Sequence, residues 1–462
     1  MGLARTLAAT GAILVLSRTI GLLREFLITL AFGFTKLTDL FFQATFVPNY
    51  LLNILNGPFT TALMASLNRA PPAERADHLR RYAERSLKVG LVLAPVFLAG
   101  GAAVAAVVGG AHGRAILLTC ALLAPACTAS VVIGYVAAAA NACGMIARAN
   151  ALTTIINASF VLCVLLIWFS RVGGQAWLLP TAFTVAALAA AVVAWRWLDQ
   201  MIDEVQDRAG PPQAPAGGTA KLQGLRRGFI LALGESAAFI ATQLLVLALA
   251  SHVAVGWASA ATLAQRVALS VVGLIAVPIT NLATVSAMNN PKHAHRIFGS
   301  STLALFLGSA AVAVAAYVLR GPVEAALGGG WGRFDARSVQ LLMALIPPFS
   351  LWLVAMVTTA PAARMLFGMG MGRLYTTVTL TGYAVANLVR IVACLRHDFP
   401  LAIALGALIE LVVAMGLCLA AYLVLARRDG VSFRDHDPLD PGTTLSPMSA
   451  ASAAGAAKPQ ST

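Results

Sequence analysis

Three observations predict an all-α polytopic membrane protein with about 12 transmembrane helices in two six-helix lobes around a central cavity. First, the 462 residues are 59% hydrophobic and 11% charged, with mean hydropathy +0.82, whereas a soluble domain carries about 25% charged residues. Second, apolar windows of about 20 residues recur along the chain, each long enough for a hydrocarbon core of about 30 Å. Third, strand-length segments of alternating polarity are absent, and without them a barrel cannot satisfy its backbone in lipid.

Spans are expected near 6–32, 38–66, 86–109, 114–140, 147–170 and 176–198, then 227–251, 257–287, 297–319, 337–363, 373–395 and 399–426. The first is not a cleavable signal, because its apolar run continues well past a signal core and carries Arg18 and Arg24. MGLART fits the loose myristoylation pattern, but it sits directly on a span and is read as a chance match. Lys and Arg concentrate in the 67–88 loop, in 196–227 and in the tail, so the positive-inside rule puts both termini in the cytoplasm. Arg390 and Arg396 fall on the opposite side in this count. The net charge of +14 is then mostly a topology signal with some attraction to anionic lipid. Nucleic-acid binding is excluded, since no basic soluble domain is visible.

The polar, Pro- and Gly-rich stretch 199–226 divides a six-span lobe over 1–198 from a second over 227–428. A tail over 429–462 lacks apolar periodicity and is expected to be disordered and cytoplasmic. The halves echo each other. PFTTALMAS at 58–66 aligns with PITNLATVS at 278–286, and GMIAR at 144–148 corresponds to GMGR at 370–373. An even number of spans per half makes the repeats parallel, with a site expected at their interface.

Charges inside spans need a partner or water, at a cost of about 2.5–3.5 kcal/mol each on insertion scales. Arg18 and Arg24 lie in the first span, about 9 Å apart along the helix and about 120° apart around it, with Gly21 between them. Guanidinium forks match phosphate, and two or three of them in one cavity suit a diphosphate. Asp39 opens the second span and can pair with Arg24. Arg24, Glu25 and Asp39 would equally serve as an interhelical clamp with no ligand. Thr45, Asn49, Asn53, Asn56 and Thr60 share one face of the second span, and their amides suit sugar hydroxyls or interhelical hydrogen bonds. Arg266, flanked by Thr262 and Ser270 at i−4 and i+4, reads as the only cation inside the second half. Glu235 and Glu410 are candidates for a coupling proton or cation, or for structural partners. Six cysteines form no CxxC pair and read as small buried hydrophobes. The scattered histidines form no metal cluster, and no cofactor is expected.

At these residues the chain resembles the MurJ/MviN family of lipid II flippases, within the multidrug/oligosaccharidyl-lipid/polysaccharide exporter superfamily. The matching residues are Ser17-Arg18, Gly21, Arg24, Phe32-Gly33, Asp39, Phe41-Phe42 and Pro48-Asn49, with Ala264-Gln265-Arg266 resembling the family's A-D-R segment. The resemblance implies a V-shaped two-lobed bundle with a cationic cavity, in a bacterial cytoplasmic membrane. It also implies alternating access that moves an undecaprenyl-diphosphate-linked sugar outward, with Arg18, Arg24, Asp39 and Arg266 as diphosphate-binding and gating residues. The chain departs from the family after Asn49, where Leu51-Leu52-Asn53 and Asn56-Gly57-Pro58-Phe59 replace paired arginines and an E-G-A-F segment. It also has about twelve spans without the family's two extra ones. A relative that carries another polyprenyl-linked oligosaccharide, an exopolysaccharide or O-antigen unit, fits these departures.

The leading expectation is therefore a flippase for a polyprenyl-diphosphate-linked glycan, such as lipid II, working beside membrane lipid and cell-wall or polysaccharide assembly proteins. It is not an enzyme on this reading, since no nucleotide-binding motif or catalytic domain is visible. The alternatives are a cation-coupled exporter of small amphipathic drugs, which would want carboxylates rather than arginines, and a polysaccharide polymerase or ligase, which would want larger outer loops.

Overall fold

The computed structural model describes residues 2–69, 72–143, 145–170, 175, 177–207, 223–276, 279–280, 283, 293–327, 335–369, 371–396 and 398–427. Within them are thirteen α-helices and no strand. The first lobe holds α1 (Gly2–Phe32), α2 (Lys36–Arg69), α3 (Pro72–Val108), α4 (Gly110–Ala142), α5 (Ile146–Phe169) and α6 (Leu178–Asp207). The second holds α7 (Gln223–Val253), α8 (Trp257–Val271), α9 (Ala294–Val318), α10 (Arg320–Leu327), α11 (Ala336–Gly368), α12 (Gly372–Cys394) and α13 (Phe399–Arg427). A π-helical turn, Val272–Ala276, continues α8.

Eight of these helices, α3 to α6, α9 and α11 to α13, are by length and composition alone able to cross a bilayer. Their outward faces are apolar and exposed, with Val96, Val107, Leu166, Phe169, Val314 and Val412 among them. Such a continuous apolar exterior belongs against lipid rather than water. This is a multi-pass membrane protein.

The expected spans match these helices, with three differences. The charged loop expected over 67–88 is helical from Pro72, because α3 is amphipathic there: Ala76, Leu79 and Ala83 turn inward while Arg80, Arg81 and Arg85 face out. Helix α6 likewise runs on to Asp207, and α7 begins at Gln223, so both ends of the expected linker are helical. The outer loop expected over 320–336 contains the short helix α10. The centre of the linker, the tail over 429–462 and most of 278–286 lie outside the described residues, as do the side chains of most of 58–66, whose backbone is helical.

The second echo is visible in the backbone. Met145 precedes α5 and accepts from Ala149 N, while its own N–H reaches Ala140 O at 2.7 Å. Met371 precedes α12, accepts from Tyr375 N, and reaches Leu366 O at 2.8 Å. The same tight reversal thus joins the fourth and fifth long helices of each half.

Within the first lobe, α4 packs against α2, α3, α5 and α6. Its run Val131–Ala140 is buried throughout, because the alanines let neighbouring backbones approach closely. In the second lobe, α11 and α13 form the centre, with α8, α9 and α12 around them. The lobes meet through α1 and α2 on one side and α7 and α8 on the other. Those four helices carry most of the intramembrane charge.

Candidate functional site

Arg24, Glu25 and Arg266 form one charged group across the lobe boundary. Arg24 donates through Nη2 to Glu25 Oε1 and through Nη1 to Asn157 Oδ1 on α5 at 2.9 Å. Its guanidinium carbon lies 5.8 Å from the Phe160 ring centroid, a favourable cation–π placement. Arg266 Nε on α8 stands 3.6 Å from the same Glu25 oxygen. Glu25 is 2% exposed, and both its Oε2 and Arg24 Nε are buried without a hydrogen-bond partner. Buried polar atoms rarely stay unpaired, so this cluster has spare valence pointing at whatever else enters.

Arg18 completes the group from one and a half turns earlier on α1. It makes no ion pair among the described residues. Its guanidinium lies against the backbone of Gly273 in the π-helical turn: a Cβ built there would stand 2.7 Å from Arg18 Nε and Cζ. The absence of a side chain at Gly273 is therefore what allows Arg18 to cross from one lobe to the other.

All three arginines line a cavity of about 370 Å³ together with Glu25. Its other polar walls are uncharged: Ser17 from α1, Thr45 and Asn49 from α2, Asn150, Thr153 and Asn157 from α5, and Gln243, Thr262, Gln265 and Ser270 from the second lobe. Gln265 donates from Nε2 to Gln243 Oε1, tying α8 to α7. Thr262, Arg266 and Ser270 all reach the cavity, and Asn49 also lines it; the side chains of Asn53 and Asn56 lie outside the described ones. The remaining wall is aromatic, including Phe41, Phe46, Tyr50 and Phe239.

Asp39 differs from its expected place. It does not pair with Arg24. Its Oδ2 accepts from Gly256 N at 2.7 Å, and its Oδ1 accepts from Ser259 N at 2.8 Å and from Ser259 Oγ. Thr38 Oγ1 adds a contact to Ser259 Oγ at 3.0 Å. Gly256 has φ +95° and caps α8, so Asp39 of the first lobe supplies the anion at the positive end of a second-lobe helix. The pull of those free N–H groups outweighs an arginine deeper in the bundle.

The two carboxylates expected near a coupling ion lie outside the arginine cavity. Glu235 accepts from Tyr375 Oη at 2.6 Å, joining α7 to α12. Glu410 accepts from Arg390 Nη2 at 2.8 Å, and Arg390 Nη1 donates to Asn387, whose amide reaches Thr242 on α7 at 2.9 Å. Arg390 is 1% exposed, which corrects both its assignment to the outer surface and the reading of Arg266 as the only cation inside the second half. Its position about one turn before the end of a span gave no sign of this. The room for it comes from Gly406 on α13, where a Cβ would stand 2.3 Å from Arg390 Nε. The six cysteines are free thiols.

Sequence reasoning left Asn157, Gln243 and Gly273 out of the site. Asn157 is an amide in the middle of an apolar span, a signal as visible as the stripe on α2. Gly273 carried none, because the π-helical turn that brings it to Arg18 leaves no trace in composition.

No protein-family model matches the chain, and no curated protein sequence matches it significantly. Several solved structures do match it. Lipid II flippase MurJ in an inward closed conformation superposes with a TM-score of 0.72 at 12% identity, covering 91% of this chain and 90% of that one. An inward-facing multidrug resistance MATE family transporter of the MOP superfamily gives 0.70 at 13% identity, with 90% and 96% covered. A MOP superfamily transporter from Pyrococcus furiosus, described as having a binding pocket of reversed polarity, gives 0.67 at 12% identity, with 92% and 96% covered. At these identities the likeness is one of fold: this chain has the two-lobed helical architecture that MurJ shares with the MATE transporters of the MOP superfamily.

Proposed function

We propose that this chain is a flippase for a polyprenyl-diphosphate-linked glycan, moving it from the inner to the outer leaflet of a bacterial cytoplasmic membrane by alternating access. The observation that carries the proposal is the convergence of Arg18, Arg24 and Arg266 on one cavity that holds a single carboxylate. Guanidinium groups bind phosphate oxygens as bidentate forks, and an anionic headgroup accounts for charges otherwise costly in a membrane. Asn49 and the other amides are suited to sugar hydroxyls. Asp39 acts as a gate, because its bonds to the start of α8 close one end of the cavity across the lobe boundary. The positive-inside charge distribution puts that end outside, with both termini cytoplasmic.

Of the two second-lobe carboxylates, Glu235 is the one we assign to a coupling proton or cation. Glu410 is held by Arg390 and serves the lobe's internal structure. Neighbours with the same fold include multidrug transporters, but a drug-sized cation would meet three arginines here, and the drug-exporter reading has no counterpart in the cavity's charge.

The test is flipping in proteoliposomes with a fluorescent polyprenyl-diphosphate disaccharide. Arg18→Ala, Arg24→Ala and Arg266→Ala should each abolish flipping while the proteins insert and purify normally. Undiminished flipping by all three variants, or export of cationic dyes by the native chain, would overturn the proposal.

A further inference from the structure

We infer that the glycan this chain carries is uncharged, rich in hydroxyl and acetamido groups and free of carboxylates. The inference rests on the flippase reading above and narrows its substrate class. Among the described residues, three guanidinium groups against the one carboxylate of Glu25 leave the cavity with a surplus of two positive charges. A diphosphate diester carries two negative charges. The headgroup alone therefore neutralises the site and leaves no cation for the sugars.

The rest of the wall bears this out residue by residue. From Leu40 to Asn68, α2 contains no Asp, Glu, Lys, Arg or His, and neither does α5 from Ala149 to Phe169. Helix α8 and its π-helical turn contain only Arg266. What these walls offer instead is amide and hydroxyl: Asn49, Asn150, Thr153, Gln243 and Gln265. An amide both donates and accepts, which matches hydroxyl and acetamido groups. It cannot neutralise a carboxylate, and an unpaired carboxylate in a site of low dielectric is strongly disfavoured. Glu25, itself on the cavity wall, would repel one further.

The experiment compares two lipids in the same proteoliposomes: a polyprenyl-diphosphate disaccharide of neutral sugars, and the same lipid with one hexose replaced by its hexuronic acid. The neutral lipid should flip at least about tenfold faster, since the extra anion finds no partner cation. Asn150→Arg, which adds a guanidinium to the α5 wall, should narrow that ratio towards unity. Equal or faster flipping of the uronate lipid by the native chain overturns the inference and leaves the flippase reading standing. Flipping of neither lipid overturns both. If Asn150→Arg does not fold, the native ratio decides alone.

Discussion

Replacing Asp39 by Asn tests the gate with a change of a single atom type. Asp39 Oδ1 meets the N–H and hydroxyl of Ser259, and Oδ2 meets the N–H of Gly256. Asparagine keeps one oxygen for Ser259 but turns an NH₂ towards Gly256, so a buried donor faces a donor. Leaving such an N–H unsatisfied costs about 1–3 kcal/mol. Losing the anion at a helix N-terminus costs about 0.3–1 kcal/mol more, and up to about 2 in a buried setting. Together these weaken the closed gate by about 1.3–5 kcal/mol, or roughly 10- to 5,000-fold in the opening equilibrium.

The assay is labelling from outside with a membrane-impermeant maleimide, at Asn49→Cys in a chain whose six cysteines have been replaced. Asp39→Asn should raise the labelling rate strongly. Ser259→Ala, which removes only the hydroxyl and keeps the N–H, should raise it far less. Labelling that is unchanged in Asp39→Asn, or an effect of Ser259→Ala as large as that of Asp39→Asn, would refute the reasoning.

Three further predictions concern other contacts. Gly273→Ala should place a methyl 2.7 Å from the Arg18 guanidinium, the far end of a flexible side chain, and so displace it and slow flipping less than Arg18→Ala does; added to Arg18→Ala it should cause no further loss. Arg390→Ala or Glu410→Ala should each destabilise the protein by about 3–5 kcal/mol, because each leaves a buried charge alone. The joint change Arg390→Met with Glu410→Leu should recover most of that, read as melting temperature in detergent. Asp335 precedes α11 and accepts from Ser338 Oγ at 2.7 Å and from Ser338 N at 2.8 Å. The Ser338 hydroxyl first, then its N–H, hold the Asp335 carboxyl below the usual range. A depressed folded value means stability that is present above the ordinary carboxylate range and lost as pH falls through the depressed one. Asp335→Ala should therefore lower the melting temperature modestly at neutral pH, as loss of a cap of about 1 kcal/mol does, and the difference should vanish in acid.

The arginines of the cavity were legible because their background is so apolar. In a chain with 11% charged residues, Arg18, Arg24 and Arg266 stand within windows that otherwise insert without cost, and each must face something polar. Arg390 is more fully buried than any of the three but read as an outer-surface charge. It lies close to the end of a span, where a long side chain can reach either the interface or the lobe, and only Gly406 on the next helix decides between them.

Asp39 shows a different limit. Its charge and its place in the first turn of α2 announced that it must be held, and Arg24 was the intramembrane cation nearest to it in sequence. The partner it found is not a side chain of opposite charge but the donating N–H groups at the start of α8, 217 residues away. Backbone donors are present at every helix start, so composition does not distinguish the one that Asp39 will meet. Periodicity and charge thus reveal that a group needs a partner, while the identity of that partner is set by how two lobes dock. The contacts proposed to open and close belong to that second kind, which is why the cavity charges were readable before the bonds of Asp39 were.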